Sequence, residues 1–557
     1  MQRIVECVPN FSEGRDARVI EAIAEVIRGV EGARLLDVDP GKATHRTVMT
    51  FVGEPEPVVE AAVRAARRAG ELIDMRKHKG EHPRFGALDV CPIVPVSGVS
   101  LAEAAKIARG LARRLGEEVG LTVYCYEAAA NKPERKNLAA VRAGEYEGLV
   151  DKLSRPEWKP DFGPATFDPV RGATAVGARD FLIAYNVNLN TTSTRRANAI
   201  AFDVREKGRI QRTGDPVVGE IVRDARGEPV WTPGTLKSVK AIGWFIEEYG
   251  VAQISMNLTD IAATPIHVAF DEVVAKAAER GVRVTGSEIV GLVPLRALLE
   301  AGRYFLRKQQ RSLGVPDAEL IKIAIKSMGL DELKPFDPRE RVIEYLLEDR
   351  SKPRLVDLSV TGFTESAASD SPAPGGGSVA AAMGALGAAL GTMVANLSSH
   401  KPGWDARWEE FSDWAERGKR CYVELLALVD RDTEAFNGLM AAFGWPKGTA
   451  AEKEARTAAI QAATAGAIDA PLRVMEVAVE SMAVAAAMAE HGMQSSISDA
   501  GVGAIAARGA VLGAWLNVRI NAKDLADEAR RADYLARAKA LAEEAQRLEA
   551  AILARLP

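Results

Sequence analysis

The hydrophobic pattern of this chain changes once, near residue 355, and that change limits the folds open to it. From about residue 355 to residue 557 no run of residues is typical of a β-strand, alanine dominates, and apolar residues recur at the helical period. The pattern predicts a separate all-α domain at 354–557.

The first 330 residues instead alternate strand-like and helix-like runs. Strands are predicted at 4–8, 35–38, 47–52 and 88–96, and helices at 17–30, 57–69 and 101–119. The order strand, helix, strand, strand, helix is typical of α+β or α/β layers.

A weak internal repeat divides this region. Residues 89–95 read DVCPIVP and residues 288–294 read EIVGLVP, and each is followed by a helix-like run rich in Leu and Ala. Residues 330–353 are charged and contain proline, which is typical of a short linker helix. Because 557 residues are too many for one core, we predict domains at 1–178, 179–329 and 354–557, with a linker at 330–353.

Charge and cysteine content argue against several classes of protein. The net charge of −4 argues against general nucleic-acid binding, which needs a strongly basic domain. The four cysteines are scattered, form no CxxC pair and are expected to be free thiols in a reducing cytosol.

The opening residues MQRIVECVPN have no apolar signal core, so we expect a cytoplasmic protein. Residues 378–397 are uncharged and long enough to span a membrane, but Ala and Gly supply most of them, so we predict a buried helix.

The stretch HKGEHPRFGALD (78–89) begins with the pattern H-x-x-E-H, which on a helix would suggest a zinc metalloprotease. Gly80 lies between the two histidines and disfavours a helix there. Pro83 follows directly and pushes His82 towards an extended backbone. The two histidines are therefore not expected to share a helix face, and no metal site is predicted.

What remains is a basic loop that leads into the strand at 88–96. It holds two of the six histidines of the chain, among Arg76, Lys77, Lys79 and Arg84. A histidine among cations should have a lowered pKa, stay neutral near pH 7 and be able to act as a base. Lys77, Lys79 and Arg84 would suit a substrate with several carboxylates. On charge alone, a solvated basic turn without a function explains the same loop.

A second candidate lies in the helical domain, in CYVELLALVDRDTEAFNGLMAAF (421–443). On a helical wheel Asp432 falls in the middle of an apolar stripe. The stripe consists of Leu425, Leu428, Val429, Ala435, Phe436 and Leu439. A buried, unpaired carboxylate is unfavourable, so it finds a partner or its pKa rises. Asp432 is thus either a structural cap or ion-pair partner, or a general acid or base.

The segment SDSPAPGGGS (369–378) places three glycines and a serine before a long helix. The backbone N–H groups of Gly375, Gly376, Gly377 and Ser378 could hold an anion there. The segment is equally well explained as a plain capped turn with Ser378 as the N-cap.

Several long motifs resemble those of known enzymes. VECVPNFSEG, LLDVDPG, RTVMTFVG, IDMRKHKGEHPRFGALDVCP, RAGEYEGL, PDFGP, GATAVGARDFLIAYN and GLVPL resemble glutamate formimidoyltransferase. PAPGGGS, LVDRDTEAF and LNVRINAKDL resemble formimidoyltetrahydrofolate cyclodeaminase. In this order, over nearly the whole chain, they resemble the fused, bifunctional formimidoyltransferase-cyclodeaminase family.

The resemblance implies two successive reactions of histidine degradation. The formimino group of N-formimino-L-glutamate passes to N5 of tetrahydrofolate, and 5-formiminotetrahydrofolate then closes onto N10 and loses ammonia. The family's transferase histidine matches His82, and its cyclodeaminase aspartate matches Asp432. Asp39 is a candidate to orient the imidazole of His82. The folate-binding stretch falls on Gly163, Pro164, Ala165, Thr166, Phe167, Asp168, Pro169, Val170, Arg171 and Gly172.

The resemblance also implies the architecture and the partners. The transferase half is expected to be two α+β subdomains of ferredoxin-like βαββαβ layering with folate between them, followed by a helical-bundle cyclodeaminase domain. The whole is expected to be a homo-oligomer built from dimers. Tetrahydrofolate polyglutamate is the co-substrate, and no metal or redox cofactor is needed because the electrophile is already an amidine carbon. The alternatives are a related folate-dependent formyl or one-carbon transferase with only one active half, and a folate-binding protein with inert sites.

Overall fold

The structure, a computed structural model, describes residues 3–42, 44–80, 83–214, 218–348 and 354–556. The chain divides into two compact units. The first comprises Met1–Ala297 and Met328–Leu347, and the second comprises Leu298–Ser327 and Glu348–Pro557. Glu81 and His82, from the pattern H-x-x-E-H, lie outside the described residues.

The strands belong to the first unit. They are β1 (Ile4–Cys7), β2 (Asn10–Phe11), β3 (Ala33–Gly41), β4 (Arg46–Gly53), β5 (Leu88–Ser97), β6 (Thr122–Glu127), β7 (Ala173–Ala178), β8 (Ile183–Leu189), β9 (Arg209–Ile210), β10 (Trp231–Thr232), β11 (Val239–Ile246), β12 (Val251–Leu258) and β13 (Val284–Val290).

The helices before residue 350 are mostly short or of medium length. They are α1 (Ala17–Arg28), α2 (Pro55–Leu72), α3 (Leu101–Glu118), α4 (Leu138–Arg142), α5 (Leu149–Leu153), α6 (Thr194–Val204), α7 (Ile266–Ala278), α8 (Leu295–Lys308), α9 (Asp317–Met328), α10 (Pro338–Arg341) and α11 (Ile343–Leu347). The strands and helices predicted within the first 119 residues are all confirmed, as β1, β3, β4, β5, α1, α2 and α3.

The first sheet is mixed. Its strand order is β1-β4-β2-β5-β7-β6, with β3 paired to β4 and β1 also paired to β5. The β5–β7 and β6–β7 pairs are parallel, and the other pairs are antiparallel. Alternate residues of β4, Met49 and Phe51, are fully buried in the core that this sheet forms with α1, α2 and α3. The opposite face carries polar side chains, including Asn10 and Arg46.

The second sheet is antiparallel, with the order β11-β12-β8-β13. Along the chain its elements follow as β8, α6, β11, β12, α7 and β13. Tyr185 and Val187 of β8 are fully buried, and Asn186 and Asn188, which point to the other face, are buried as well. Buried amides must be given hydrogen-bond partners, so this second face is polar inside the protein rather than on its surface.

The second unit is helical beyond residue 354. Its long elements are α12 (Val360–Ala368), α13 (Gly376–Ser399), α14 (Trp408–Phe443), α15 (Ala450–His491), α16 (Ile497–Ala522) and α17 (Glu528–Leu553). Small residues allow close packing: a Cβ at Gly387 of α13 would lie 2.7 Å from the backbone oxygen of Gly503 on α16. The prediction of a C-terminal helical region is confirmed, and its core includes Leu425, Leu428 and Val429 of α14.

Two helices of this unit, Gly376–Ser399 and Gln494–Ala522, are long and apolar enough to cross a membrane by length and composition. Of their most apolar windows, 61% and 44% respectively is buried inside the protein. Core helices of soluble proteins pass the same test, so these two helices are weak grounds for a membrane span.

The compact units divide the chain differently from the boundaries predicted from sequence. Residues 330–347, predicted as part of a linker, hold α10 and α11 and lie in the first unit, where Val342 and Ile343 are buried. Leu298–Ser327 lies in the second unit. A charged, proline-containing segment resembles a linker in composition, and two apolar residues are enough to fix it to a core. The boundaries 178, 329 and 353 stay a prediction.

Candidate active sites

Two histidines lie stacked at the edge of the first sheet. A short 3-10 helix ends at Lys77, and His78 follows with an extended backbone. The rings of His78 and His45 are parallel within 9°, with centroids 4.2 Å apart. His78 Nε2 donates to the backbone oxygen of His45 at 2.7 Å, so its neutral tautomer has an unprotonated Nδ1. That Nδ1 is buried, and the described residues offer it no hydrogen-bond partner.

Burial lowers the pKa of His78, and the nearby charges of His45 and Arg84 lower it further. The hydrogen bond to the carbonyl of His45 opposes this and only partly offsets it. His78 is therefore neutral at pH 7. The sequence predicted a lowered pKa for a histidine in this loop, but from neighbouring cations, whereas desolvation is the larger cause.

Glu13 and His45 support this loop, and sequence reasoning missed both. His45 Nε2 lies 3.1 Å from Glu13 Oε1, and its Nδ1 lies 3.0 Å from the backbone oxygen of Lys79. Burial tends to raise the pKa of Glu13, but the N–H groups of Asp16 and Arg15, together with His45, outweigh it and lower that pKa. Gly80 allows the contact, since a Cβ there would collide with the backbone oxygen of Thr44.

The predicted anion contacts of the basic loop differ in how they are engaged. The side chain of Lys77 is 84% exposed and lies 3.8 Å from Asp74. Lys79 is also exposed. The guanidinium of Arg84 is mostly buried and donates to both oxygens of Glu147, at 2.5 and 3.1 Å. The charge of Arg84 is thus already balanced by a carboxylate, while the two lysines face solvent. His82 itself lies outside the described residues.

The predicted folate stretch, 163–172, is a loop that the structure brings against this region. Met75, three residues before His78, donates its N–H to the backbone oxygen of Val170 at 2.9 Å. Tyr146 donates its hydroxyl to the oxygen of Pro169 at 2.5 Å and packs on Phe167, with ring centroids 5.6 Å apart. The guanidinium carbon of Arg84 lies 5.9 Å from the centre of the Tyr146 ring. The predicted folate stretch and the basic loop therefore share one neighbourhood.

The predicted folate stretch is held in place by its own side chains. Asp168 accepts from the N–H groups of Val170 and Arg171, and from Arg171 Nε at 2.6 Å. Burial tends to raise the pKa of Asp168, and these hydrogen bonds outweigh it and lower that pKa. Gly163 has φ +79°, and a Cβ there would collide with the oxygen of Leu121. The remaining members Pro164, Ala165, Thr166 and Pro169 are exposed, whereas Gly172 is buried.

A buried cationic cluster on the polar face of the first sheet was also not predicted from the sequence. Arg46 donates to Asn10 Oδ1 at 2.6 Å and to Asp89 Oδ2 at 2.9 Å. Arg142 also donates to Asp89, whose side chain is 1% exposed. Burial lowers the pKa of Arg46 to about 10, and the guanidinium remains charged at pH 7. Two guanidiniums thus share the carboxylate of Asp89 inside the unit.

Asp39 lies on β3. It is exposed, and the described residues give its carboxylate no hydrogen-bond partner. It lines a cavity of about 320 Å³ together with Asp37, Glu288 and Arg341. Its predicted role in orienting His82 stays a prediction, because His82 is not described.

The second candidate site lies at the start of α13. Ser378 is fully buried, and its hydroxyl donates to the backbone oxygen of Val429 at 2.9 Å and lies 3.1 Å from Asp432 Oδ2. A Cβ at Gly377 would collide with the Asp432 carboxylate, and Asn517 Nδ2 lies 3.5 Å from the Cβ position of Gly376. The structure thus brings together the glycine segment and Asp432, which were predicted separately.

The N-cap of α13 is Gly375, without a side-chain hydrogen bond, so the alternative with Ser378 as N-cap is wrong. Ser378 lies within the first turn, and its hydroxyl donates a hydrogen bond to the backbone oxygen of Val429 on α14 instead. The glycines let α14 approach so closely that the carboxylate of Asp432 lies against the first turn of α13.

Burial raises the pKa of Asp432, and hydrogen bonds from Ser378 lower it by less. Within the described residues Asp432 forms no ion pair with a lysine or arginine, and it is half-buried rather than sealed. Of the apolar helix face predicted around Asp432, Leu425, Leu428 and Val429 are buried, whereas Ala435, Phe436 and Leu439 are partly exposed. Asp432 therefore lies where the core of the unit ends, with access to solvent.

A buried neutral imidazole in one unit and a half-buried carboxylate of raised pKa in the other equip a chain for acid–base catalysis at two sites. Among the described residues, no group of three or more His, Cys, Asp and Glu side chains is placed to hold a metal ion.

Comparisons with known proteins agree with a two-site chain. The family model described as Formiminotransferase domain, N-terminal subdomain, matches residues 4–179, and Formiminotransferase domain matches residues 184–348. Formiminotransferase-cyclodeaminase matches residues 359–540. Formimidoyltransferase-cyclodeaminase of Rattus norvegicus is 43% identical over 557 residues, covering 100% of this chain and 99% of the relative. The chain belongs to the formimidoyltransferase-cyclodeaminase family.

Two other relatives each match one part of the chain. Glutamate formimidoyltransferase of Streptococcus pyogenes serotype M1 is 38% identical over 307 residues, 55% of this chain and 94% of the relative. Methenyltetrahydrofolate cyclohydrolase of Methylorubrum extorquens is 40% identical over 171 residues, 31% of this chain and 82% of the relative.

Proposed function

We propose that this chain transfers the formimino group of N-formimino-L-glutamate to tetrahydrofolate, releasing L-glutamate, and then cyclises 5-formiminotetrahydrofolate to 5,10-methenyltetrahydrofolate with release of ammonia. The observation that carries this is the full-length match to a relative whose printed name joins both activities. The separation of the histidine loop and Asp432 into different compact units supports two sites.

In the transferase reaction, N5 of tetrahydrofolate attacks the amidine carbon and a tetrahedral adduct forms. The proton on N5 is removed, the glutamate nitrogen is protonated, and the bond between that nitrogen and the carbon breaks. His82 is proposed to carry this proton, with Asp39 orienting its ring. The proposal is supported by the neutral imidazole of His78, four residues before His82, and by the loop 163–172, which hydrogen-bonds Met75.

In the cyclodeaminase reaction, N10 attacks the carbon of the 5-formimino group and its proton is lost. The amino group of the adduct takes up a proton and leaves as ammonia, which yields the methenyl bridge. Asp432 is proposed to move the proton from N10 to the leaving nitrogen. Its raised pKa and its solvent access suit a carboxyl group that must both accept and donate. The N–H groups of Gly375–Ser378 are proposed to hold an anionic part of the folate.

We propose ferredoxin-like layering for the transferase half. Support comes from the second sheet, in which the chain order β8, α6, β11, β12, α7, β13 is βαββαβ. The first sheet is larger and carries parallel as well as antiparallel pairs, so it extends that plan rather than repeating it.

Tetrahydrofolate polyglutamate is proposed as the co-substrate, without a resident metal or redox cofactor, in a cytoplasmic protein. The carbon keeps its oxidation level throughout both steps, so the chemistry requires no electron carrier. Lys77 and Lys79 are exposed near the predicted folate loop and would attract the anionic tail.

We propose that the chain is a homo-oligomer built from dimers, with a contact through α13 and α16. These helices run antiparallel, because a Cβ at Gly513 meets Ala380 while one at Gly387 meets Gly503. Each carries exposed apolar side chains spaced by three, four or seven residues, which places them on one face of that helix. We call this set the apolar stripe; it comprises Val379, Leu386, Met393 and Leu397 of α13 and Val502, Ile505, Leu512, Leu516 and Ile520 of α16.

The size of the apolar stripe favours a second copy of the chain as its occupant. Its side chains are 37–68% exposed, which amounts to roughly 800 Å² of apolar surface, about what one partner contributes to a standard interface. Isolated monomers rarely expose a continuous apolar patch of that size. A lipid surface is the competing occupant, and the oligomeric state in detergent-free buffer distinguishes the two.

One assay tests the proposed function and separates it from its alternatives. The purified protein is given N-formimino-L-glutamate and tetrahydrofolate, and glutamate, ammonia and the absorbance of methenyltetrahydrofolate are followed. The proposal expects all three products. Glutamate without ammonia would mean that only the transferase half is active. In a second run supplied with 5,10-methenyltetrahydrofolate alone, its hydrolysis, without ammonia release in the first run, would favour a cyclohydrolase. Binding of folate without any product would leave a folate-binding protein.

A further inference from the structure

A cavity of about 320 Å³ lies in the first unit and has no role so far apart from the presence of Asp39 in its wall. It is lined by Asp37, Val38 and Asp39 of β3, by Glu288 and Ile289 of β13, and by residues 330–341 that precede and include α10. Its volume is at the lower end of the range for small-molecule sites, which is about 300–1,000 Å³.

The cavity lies on the same face of the first sheet as the buried cationic cluster. Asp39 pairs with Val48 of β4, and Val48 pairs with Asn10 of β2. Residues directly opposite each other on antiparallel strands point to the same face, so Asp39, Val48 and Asn10 lie in one row. Asn10 in turn accepts from Arg46 at 2.6 Å. A small molecule in the cavity would therefore lie on the same sheet face as Arg46 and Asp89, a few side chains away.

Glu288 is fixed at the wall of the cavity by amides. Asn186 Nδ2 and Gln253 Nε2 donate to its Oε1 at 3.0 and 3.2 Å. Asn186 and Gln253 are buried, so they act as a rigid support. Both donors reach the same oxygen, and the described residues give Oε2 no partner, which leaves it available to a ligand.

The cavity also carries two cationic side chains beside its three carboxylates. Within the described residues, the guanidinium of Arg341 has no carboxylate at ion-pair distance. Its field nevertheless acts on Asp37, whose pKa burial and Asp39 raise and Arg341 lowers. Lys334, at the rim, lies 5.4 Å from the ring centre of Tyr249. A hydrogen bond with Tyr249 raises the pKa of Lys334, and the charges of Glu248 and Glu288 raise it further.

We propose that this cavity binds the formimino donor, with Arg341 and Lys334 holding the two carboxylates of the glutamate part and Glu288, Asp37 and Asp39 facing its cationic amidine. N-formimino-L-glutamate carries both signs of charge, as does the cavity, and a formyl group in place of the amidine would lack the positive charge. This inference rests on the proposed transferase function. It adds residues that hold the donor to those predicted to hold folate, and a physical reason for choosing an amidine over an amide.

The test is direct binding by isothermal titration calorimetry to the full-length protein. For Arg341→Gln we expect the Kd of N-formimino-L-glutamate to rise at least about tenfold, because a charged hydrogen bond is lost, while the Kd of tetrahydrofolate changes by less than about twofold. Arg339→Gln, an exposed cation two residues earlier, is the matched control and should leave both values unchanged.

A second pair of titrations tests the selectivity for the amidine. The wild type should bind N-formimino-L-glutamate at least about tenfold more tightly than N-formyl-L-glutamate, and Glu288→Gln should reduce that ratio towards one. If Glu288→Gln disturbs the fold, Lys334→Gln at the exposed rim gives a second measure of donor affinity.

Each outcome has one interpretation. If Arg341→Gln weakens tetrahydrofolate binding and spares the donor, the cavity holds the folate tail and this inference is wrong. If the wild type turns over substrate while Arg341→Gln and Glu288→Gln keep wild-type affinities, the inference fails and the proposed function stands. If the donor binds in a manner sensitive to Arg341 but no glutamate is released, the inference stands and the proposed function fails. If the wild type binds no donor, both fail.

Discussion

Asp432 and His78 owe their altered acidities to the same physical cause. Burial disfavours the charged form of each, so it raises the pKa of the carboxyl group and lowers that of the imidazole. The hydrogen bonds that each receives or makes oppose this shift without cancelling it. Burial thus moves the pKa of Asp432 towards neutral pH, which suits a group that exchanges protons, whereas it moves the pKa of His78 further below pH 7 and keeps its imidazole neutral there.

The raised pKa of Asp432 has a consequence for stability. The folded protein binds the carboxyl proton of Asp432 more tightly than the unfolded chain does. Protonated Asp432 therefore stabilises the fold below the ordinary pKa of Asp, and this stabilisation is lost as the pH rises through the pKa that Asp432 has in the folded state. Asparagine stays neutral at every pH, so Asp432→Asn avoids this loss of stability at high pH. We expect Asp432→Asn to melt at a higher temperature than the wild type at pH 8, with the difference narrowing as the pH falls towards 4.5, as measured by calorimetry.

The same variant should lose about 10²–10⁴-fold in cyclodeaminase kcat, the usual contribution of a general acid or base. Glu434→Gln, an exposed acid on the same helix, is the matched control and should change neither property. A wild-type melting temperature for Asp432→Asn at pH 8, together with wild-type activity, would remove Asp432 from the mechanism.

At the scale of elements, the sequence predicted the first strands and helices well because their periodicities are strong and their caps are local. Asp16 caps α1, and Ser100 with Glu103 forms a capping box on α3. It also predicted Asp432 and the glycine segment, each from its own pattern. That the two meet could not be foreseen, because contact between α13 and α14 depends on how two distant helices pack.

Glu13, His45 and Arg46 were missed for a related reason. Glu13 and Arg46 lie in motifs that were recognised and His45 directly precedes one, but no spacing rule relates them to His78 or Asp89, which the fold brings to them. Sequence patterns report periodicity along one element, whereas these groups meet across different strands and loops. The cationic cluster around Asp89 is therefore a finding of the structure alone.

The close approach of α13 and α14 gives a prediction at this scale. Gly377→Ala places a Cβ against the Asp432 carboxylate, and the neighbouring backbone cannot move far within a helix turn. A misplaced catalytic group loses on the order of 10²-fold in rate, so we expect a loss of that order in cyclodeaminase kcat with transferase kcat retained. The measurement is ammonia release from supplied 5-formiminotetrahydrofolate.

Gly376→Ala is the control for this prediction. A Cβ there meets only Asn517, at an ordinary contact distance of 3.5 Å, so its activity should stay near that of the wild type. Equal losses in the two variants would show that the segment tolerates no side chain at all, and that contact with Asp432 is not the reason.

At the scale of the molecule, the apolar stripe of α13 and α16 predicts how copies assemble. Leu386, at its centre, is 68% exposed, so Leu386→Asp introduces a charge without disturbing the core. Burying that charge in an interface is strongly unfavourable. We expect light scattering to show a smaller assembly for Leu386→Asp than for the wild type, with unchanged helical content by circular dichroism.

Val360→Asp provides the comparison for the assembly prediction. Val360 is 86% exposed on α12, outside the apolar stripe, and its substitution should leave the mass of the assembly unchanged. An unchanged mass for Leu386→Asp would place the dimer contact elsewhere.

The central claim is that two proton-transfer sites in separate units of one chain serve two consecutive reactions. The most direct measurement compares His82→Ala and Asp432→Ala in both half-reactions, each supplied with its own substrate. The account predicts that His82→Ala loses glutamate release but still forms methenyltetrahydrofolate from 5-formiminotetrahydrofolate, and that Asp432→Ala shows the reverse. Loss of both activities in either variant, with native circular dichroism and an unchanged assembly mass, would contradict it.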